Sequence, residues 1–178
     1  MKEEIICAGF GGQGIMLLGK LIAFGAMRKG LNVTWMPSYG AEVRGGTAYS
    51  MVVISDEDIA SPIICASDTA IVMNKPSFEK FIPNLRPKGI SIVNSSLVDI
   101  DGSKRKDIKI VKVPMTDMAH GLGNVRTANM IALGVYIKER KRFSEKDIEE
   151  AIRQAFCGER HLQDINLKAI KKGLNINE

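Results

Sequence analysis

Ile5-Ile6-Cys7-Ala8-Gly9-Phe10-Gly11-Gly12-Gln13-Gly14, continuing into the apolar run Ile15 to Lys29, decides the fold. The four apolar residues read as a short strand, the glycines as a tight loop, and the run as a helix closed by Gly30. That helix carries Leu17, Leu18, Leu21, Ile22, Phe24 and Met27 on most of its sides, which predicts burial against a sheet. The loop satisfies G-x-G-x-x-G between a strand and a helix, the context that a dinucleotide fingerprint requires. Bare backbone at Gly9, Gly11, Gly12 and Gly14, with Gln13 among them, lets N–H groups approach a phosphate. The helix N-terminus adds about half a unit of positive charge there. A Rossmann domain, however, ends its second strand on an acidic residue that holds the ribose, and the corresponding segment is Val33-Thr34-Trp35-Met36-Pro37-Ser38. Two readings of the loop therefore stand: a phosphate cradle, or a tight turn allowing close helix–sheet packing.

Working outward, Asn32 to Met36 and Ala48 to Ile54 supply two further strands, and the stretch Pro37 to Thr47 between them is too short for a helical crossover. The sheet is thus expected to be mixed. Thr69 to Met73, Ile90 to Val93 and Ile108 to Val113 read as strands, with a short helix around Ser77 to Ile82. Helices are expected over Asn124 to Lys138, over Ser144 to Phe156 with Ser144 and Asp147 as a capping box, and over Leu162 to Lys172 with a stop at Gly173. Asp99 to Asp107 is the most linker-like segment. The expected architecture is a single α/β domain over 1–178, a three-layer α/β/α arrangement with a mixed, mainly parallel sheet, a glycine-rich loop after the first strand and a helical C-terminal third.

Composition narrows the function. The chain has 178 residues, 45% hydrophobic and 25% charged, an ordinary globular balance for one domain. Cys7, Cys65 and Cys157 are far apart and form no C-x-x-C or Cys/His cluster, so no metal or iron–sulfur site is expected. Three isolated thiols and no signal-like N-terminus point to the cytoplasm, and no apolar run reaches membrane-spanning length. The net charge of +5 is dispersed. Its densest cluster, Lys138, Arg140, Lys141 and Arg142, is read as complementing a helix C-terminus, and Lys104-Arg105-Lys106 as a solvated loop. With few aromatics to stack on bases, no nucleic-acid partner is expected. His120 and His161 lack the spacing of a catalytic triad, and Glu149-Glu150 and Asp56-Glu57-Asp58 read as solvated acids, so no catalytic residue is assigned.

A second segment, Ser38-Tyr39-Gly40-Ala41-Glu42-Val43-Arg44-Gly45-Gly46-Thr47, places a charged pair among three glycines at the sheet end expected to hold the first loop. Arg44 could clamp an anion with Glu42 neutralising it, or the pair could be internal to a surface loop. The stretches GFGGQGIMLLGKLIA and SYGAEVRGGTAYS, together with Thr127-Ala128-Asn129-Met130-Ile131-Ala132-Leu133-Gly134 and Asn166 to Gly173, resemble the gamma subunit of 2-oxoacid:ferredoxin oxidoreductases over essentially the whole chain. Within that family the second loop resembles the 2-oxoglutarate and branched-chain types, and 2-oxoglutarate is favoured. The resemblance implies oxidative decarboxylation of a 2-oxoacid with coenzyme A, giving acyl-CoA, carbon dioxide and reduced ferredoxin. It also implies thiamine diphosphate, magnesium and iron–sulfur clusters on alpha, beta and ferredoxin-like delta partner subunits. For this chain it implies coenzyme A or partner contacts at Gly9, Gly11, Gly12, Gln13 and Gly14, and an interface or anion-pairing segment at Tyr39, Glu42, Arg44, Gly45, Gly46 and Thr47. The competing expectation is a free-standing nucleotide-binding oxidoreductase.

Overall fold

A computed structural model describes residues 1–38, 47–100 and 105–176. Six strands form one sheet: β1 (Lys2–Gly9), β2 (Asn32–Ser38), β3 (Ala48–Ser55), β4 (Ser67–Val72), β5 (Leu85–Asn94) and β6 (Lys109–Val113), in the order β2-β3-β1-β4-β5-β6. β3 runs antiparallel to both β2 and β1, while β1, β4, β5 and β6 are mutually parallel. β1 is central and buried on both faces apart from its first residue, as its unbroken apolar run requires. The expected strands are all present, but β1 and β2 are not neighbours, because β3 is inserted between them.

Ile5 and Cys7 face the larger core, formed with helices α1 (Ile15–Met27) and α4 (Ala128–Arg140). Ile6 and Ala8 face the opposite side, covered by Phe81 of α2 (Lys75–Phe81) and by Ile64. The remaining helices, α3 (Met115–His120), α5 (Glu145–Ala155) and α6 (Arg160–Leu174), complete the larger layer, with α5 against α1 and α6 against α4. α3 was not expected from the sequence, where one turn of Met-Thr-Asp-Met-Ala-His lacks a readable period.

Four expectations are corrected by packing. Gly173 does not stop the last helix, which runs to Leu174; Gly173 and Gly134 instead face each other where α6 crosses α4, each leaving room for the other's backbone. The linker-like Asp99 to Asp107 stretch is anchored at its described start, where Ile100 is buried with the preceding Val98 beneath the α2 side. Arg105 is not solvated: it donates to the carbonyls of Ile82, Pro83 and Leu85 at 2.7–3.0 Å and pairs with Asp107, closing the exit of the 3-10 turn after α2. Finally, Arg140 and Arg142 do more than complement a helix end. Their Nε atoms each donate at 2.6 Å to Glu3, whose side chain is fully buried and also accepts from Thr69. A carboxylate removed from water needs such partners, and these two guanidiniums tie the end of α4 to the start of the central strand.

Candidate functional site at the glycine loop

The connections after the neighbouring parallel strands β1 and β4 leave for opposite faces of the sheet, β1 to α1 and β4 to α2. Such a divergence opens the crevice in which open α/β sheets bind ligands. Here Gln13 spans it. Its Oε1 accepts from the Phe10 amide at 2.7 Å and its Nε2 donates to the Met73 carbonyl at 3.4 Å, while the Gln13 amide bonds back to Phe10. Gln13 is therefore a brace across the crevice, with both ends of its side chain engaged. β2, Asn32 to Ser38, carries no acidic side chain of the kind that holds a dinucleotide's ribose.

The glycines divide by role. Gly12 (φ 89°) and Gly14 (φ 71°) adopt left-handed backbone, which L side chains enter only with strain. A Cβ on Gly14 would collide with the Asn129 side chain, whose Nδ2 donates to the Gly14 carbonyl at 3.1 Å. A Cβ on Gly9 would press on Gln13, Ile15 and Met73. Gly9 and Gly14 are thus packing positions. Gly11 and Gly12 are exposed, and nothing lies within 4 Å of where a Gly12 Cβ would project, so these two form the loop's open surface.

Strand register brings the second segment's flanks to the same end. Ser38 pairs with Tyr49, which in turn opposes Ala8, and Ala48 opposes Gly9. Half-buried Thr47 precedes β3 directly. Tyr39, Glu42, Arg44, Gly45 and Gly46 lie outside the described residues.

On the helical side of the loop is a cavity of ≈ 260 Å³ bounded by Gly12 and Gly14, the start of α4, and the junction of α5 with α6. Asn124, Arg126 and Asn129 line it; the sequence motifs give none of them a site role, although Asn129 lies within the Thr127 to Gly134 stretch. The signal was present in the run Gly123-Asn124-Val125-Arg126-Thr127, a turn with an Asx cap in which Asn124 Oδ1 accepts from the Arg126 amide at 3.0 Å. Reading that run as part of the glycine-loop site requires knowing that α4 packs against α1.

Elsewhere the titratable groups serve the fold. Burial pushes the Cys7 thiol up to about 12, leaving it inert. Burial, followed by the nearby Glu3 charge, raises the Tyr136 hydroxyl well above its usual range. His120 and His161 are exposed, and among the described residues no group of three His, Cys, Asp or Glu side chains could hold a metal ion. Glu149 and Glu150 pair along α5 with Arg153 and Gln154.

Comparisons with known proteins agree on one assignment. The ketoisovalerate oxidoreductase subunit VorA of Methanothermobacter marburgensis is 36% identical over 97% of this chain, which spans 36% of the length of that relative. The gamma subunit of the keto/oxoacid ferredoxin oxidoreductase of Geobacter sulfurreducens superposes with a TM-score of 0.81 at 26% identity, covering 96% of this chain and 95% of that one. The 2-oxoglutarate:ferredoxin oxidoreductase of Magnetococcus marinus, solved with 2-oxoglutarate, coenzyme A and succinyl-CoA bound, superposes with a TM-score of 0.87 at 26% identity. It is covered over 97% of this chain and 30% of its own. The family model described as pyruvate ferredoxin/flavodoxin oxidoreductase matches residues 4–176, and the chain belongs to that family.

Proposed function

We propose that the chain works as the gamma subunit of a 2-oxoacid:ferredoxin oxidoreductase complex acting on 2-oxoglutarate. In that complex a 2-oxoacid and coenzyme A are converted to acyl-CoA and carbon dioxide, and two electrons pass to ferredoxin. Thiamine diphosphate with its magnesium, and the iron–sulfur clusters, belong to the alpha, beta and ferredoxin-like delta partners, where they supply carbanion stabilisation and an electron relay. This chain contributes architecture and a border to the route of coenzyme A, and the reaction is placed in the cytoplasm. In keeping with that, no helix among the described residues is long and apolar enough to cross a membrane.

The observation that carries the reading is the convergence of the glycine loop and the flanks of the Tyr39 to Gly46 segment at one end of the sheet, with Gly11 and Gly12 turned outward. Exposed backbone of this kind suits a phosphate or a partner's main chain. Tyr39, Glu42, Arg44, Gly45, Gly46 and Thr47 are proposed as the interface or anion-pairing segment beside it. A branched-chain substrate is the second reading, favoured by the 36% identity to a ketoisovalerate oxidoreductase subunit. The test is to purify the assembled complex and offer 2-oxoglutarate, 2-oxoisovalerate, pyruvate and indolepyruvate with coenzyme A and viologen dye. The highest kcat/KM is expected with 2-oxoglutarate, and a preference for 2-oxoisovalerate would transfer the assignment to the second reading.

A further inference from the structure

We propose that the ≈ 260 Å³ cavity behind the glycine loop binds a small oxyanion that also carries a hydrogen-bond donor, a phosphorylated alcohol being the class that fits. The inference deepens the reading of the glycine loop as a contact site and rests on it. It locates the ligand on the helical side of the loop, away from the crevice that Gln13 spans.

Two independent features define the ligand. The first is positive potential without an acid to neutralise it. α1 begins at Ile15 after Gly14, with no side-chain cap and no acidic residue in its first turn, so its leading N–H groups have no anionic partner among the described residues. Arg126 is exposed at the cavity, and among the described residues it forms no ion pair and no acidic side chain lines the cavity. The second feature is an unmet acceptor. Asn129 lines the cavity at 3% exposure, gives its Nδ2 to the Gly14 carbonyl, and leaves its buried Oδ1 without a hydrogen-bond partner. The Gly14 carbonyl also accepts from the Leu18 amide at 2.9 Å, and turning the Asn129 amide round would set its oxygen 3.1 Å from that carbonyl oxygen, two acceptors face to face. A bare anion would answer the first feature and leave the second unmet, since a carboxamide oxygen accepts and does not donate. An oxyanion bearing a hydroxyl answers both: its oxygens take the α1 N–H groups and Arg126, and its hydroxyl donates to Asn129. Leu17 and Phe156 give the carbon skeleton an apolar wall.

The experiment follows backbone and side-chain amide NMR shifts of the isotopically labelled full chain during titration with glycerol 3-phosphate, inorganic phosphate and glycerol. Saturable shifts at Gly14, Arg126 and the Asn129 carboxamide are expected with glycerol 3-phosphate, weaker saturation with inorganic phosphate, and none with glycerol. Arg126→Gln, a surface change that leaves the fold's spectrum intact, should weaken binding by about ten-fold, the effect of losing one charge-assisted contact. Absence of saturable shifts with both phosphates would overturn the proposal, as would an Arg126→Gln Kd equal to that of the unaltered chain. Equal affinity for the two phosphates would overturn the donor requirement and with it the ligand class. Because the titration uses this chain alone, its failure is distinguishable from a failed substrate assignment in the assembled complex.

Discussion

Gly12 and Gly14 look equivalent in the motif and are not equivalent in the molecule. Both need left-handed backbone, but only Gly14 is packed against a neighbour. Gly12→Ala should therefore cost about 1–2 kcal/mol of stability, the strain of the backbone alone. Gly14→Ala adds an overlap with Asn129 of the kind that costs a further ~1–3 kcal/mol. Urea unfolding of the two variants checks this, and equal losses would mean that Asn129 can move aside freely. Contrasting cysteine environments give a second expectation. Cys7 is buried with its thiol pushed up to about 12, while Cys65 and Cys157 are exposed. Iodoacetamide at mildly alkaline pH should label the two exposed thiols of the native chain and reach Cys7 only after denaturation. Mass spectrometry counts the adducts, and rapid native labelling of Cys7 would contradict its placement in the core.

Among the elements, α5 shows how local signals survive into structure. Ser144 and Asp147 form the capping box expected from their spacing: Asp147 Oδ2 accepts from the Ser144 amide at 2.7 Å and from its hydroxyl at 2.6 Å. Burial pushes the Asp147 carboxyl upward, but the Ser144 hydrogen bonds and the Lys29 ammonium at 3.0 Å outweigh it and hold the carboxyl below the ordinary range. A depressed folded value means that the contribution is fully present above the unfolded pKa of about 3.9 and is lost as pH falls through the lower folded value. Asp147→Asn should accordingly reduce stability near neutral pH and flatten the acid limb of the stability profile. An unchanged acid limb would show that the cap does not depend on ionisation. The α4–α6 crossing was illegible by comparison. A glycine near the end of a periodic run reads as a stop signal, and only the partner helix reveals Gly173 as a close-approach position facing Gly134. A Cβ at Gly134 would enter the Ile170 carbonyl, so Gly134→Ala should separate the helices and cost on the order of 1–3 kcal/mol, measurable by thermal unfolding.

For the whole molecule, sequence pattern conveyed the α/β class, the strand inventory and the mixed sheet, because each rests on local periodicity and on the short link between β2 and β3. It could not convey where that antiparallel pair docks. β3 inserts beside β1 through long-range pairing that no local signal encodes, and the same limit hid Arg140 and Arg142 reaching back to Glu3. At the candidate site the glycine loop was legible, while the role of Gln13 and the wall formed by Asn124, Arg126 and Asn129 depended on packing between distant elements. The proposed division of labour carries its own expectation at this scale. Oxidative decarboxylation needs a carbanion-stabilising cofactor and an electron relay, and ordinary side chains supply neither. Purified alone, the chain should contain no iron or thiamine diphosphate and should leave viologen dye oxidised in the presence of 2-oxoglutarate and coenzyme A; adding the partner subunits should restore reduction. Dye reduction by the lone chain would overturn the subunit role. Within the complex, a gamma module bordering the coenzyme A route should matter more for acyl transfer than for decarboxylation. Comparing carbon dioxide release with acyl-CoA formation in complexes carrying Gly12→Val and Gly12→Ala tests this, since both substitutions strain the left-handed backbone and they differ in the bulk that projects outward from the loop. Acyl-CoA formation is expected to fall further than carbon dioxide release. Equal loss of both would assign the loop to assembly of the complex and remove it from the path of coenzyme A.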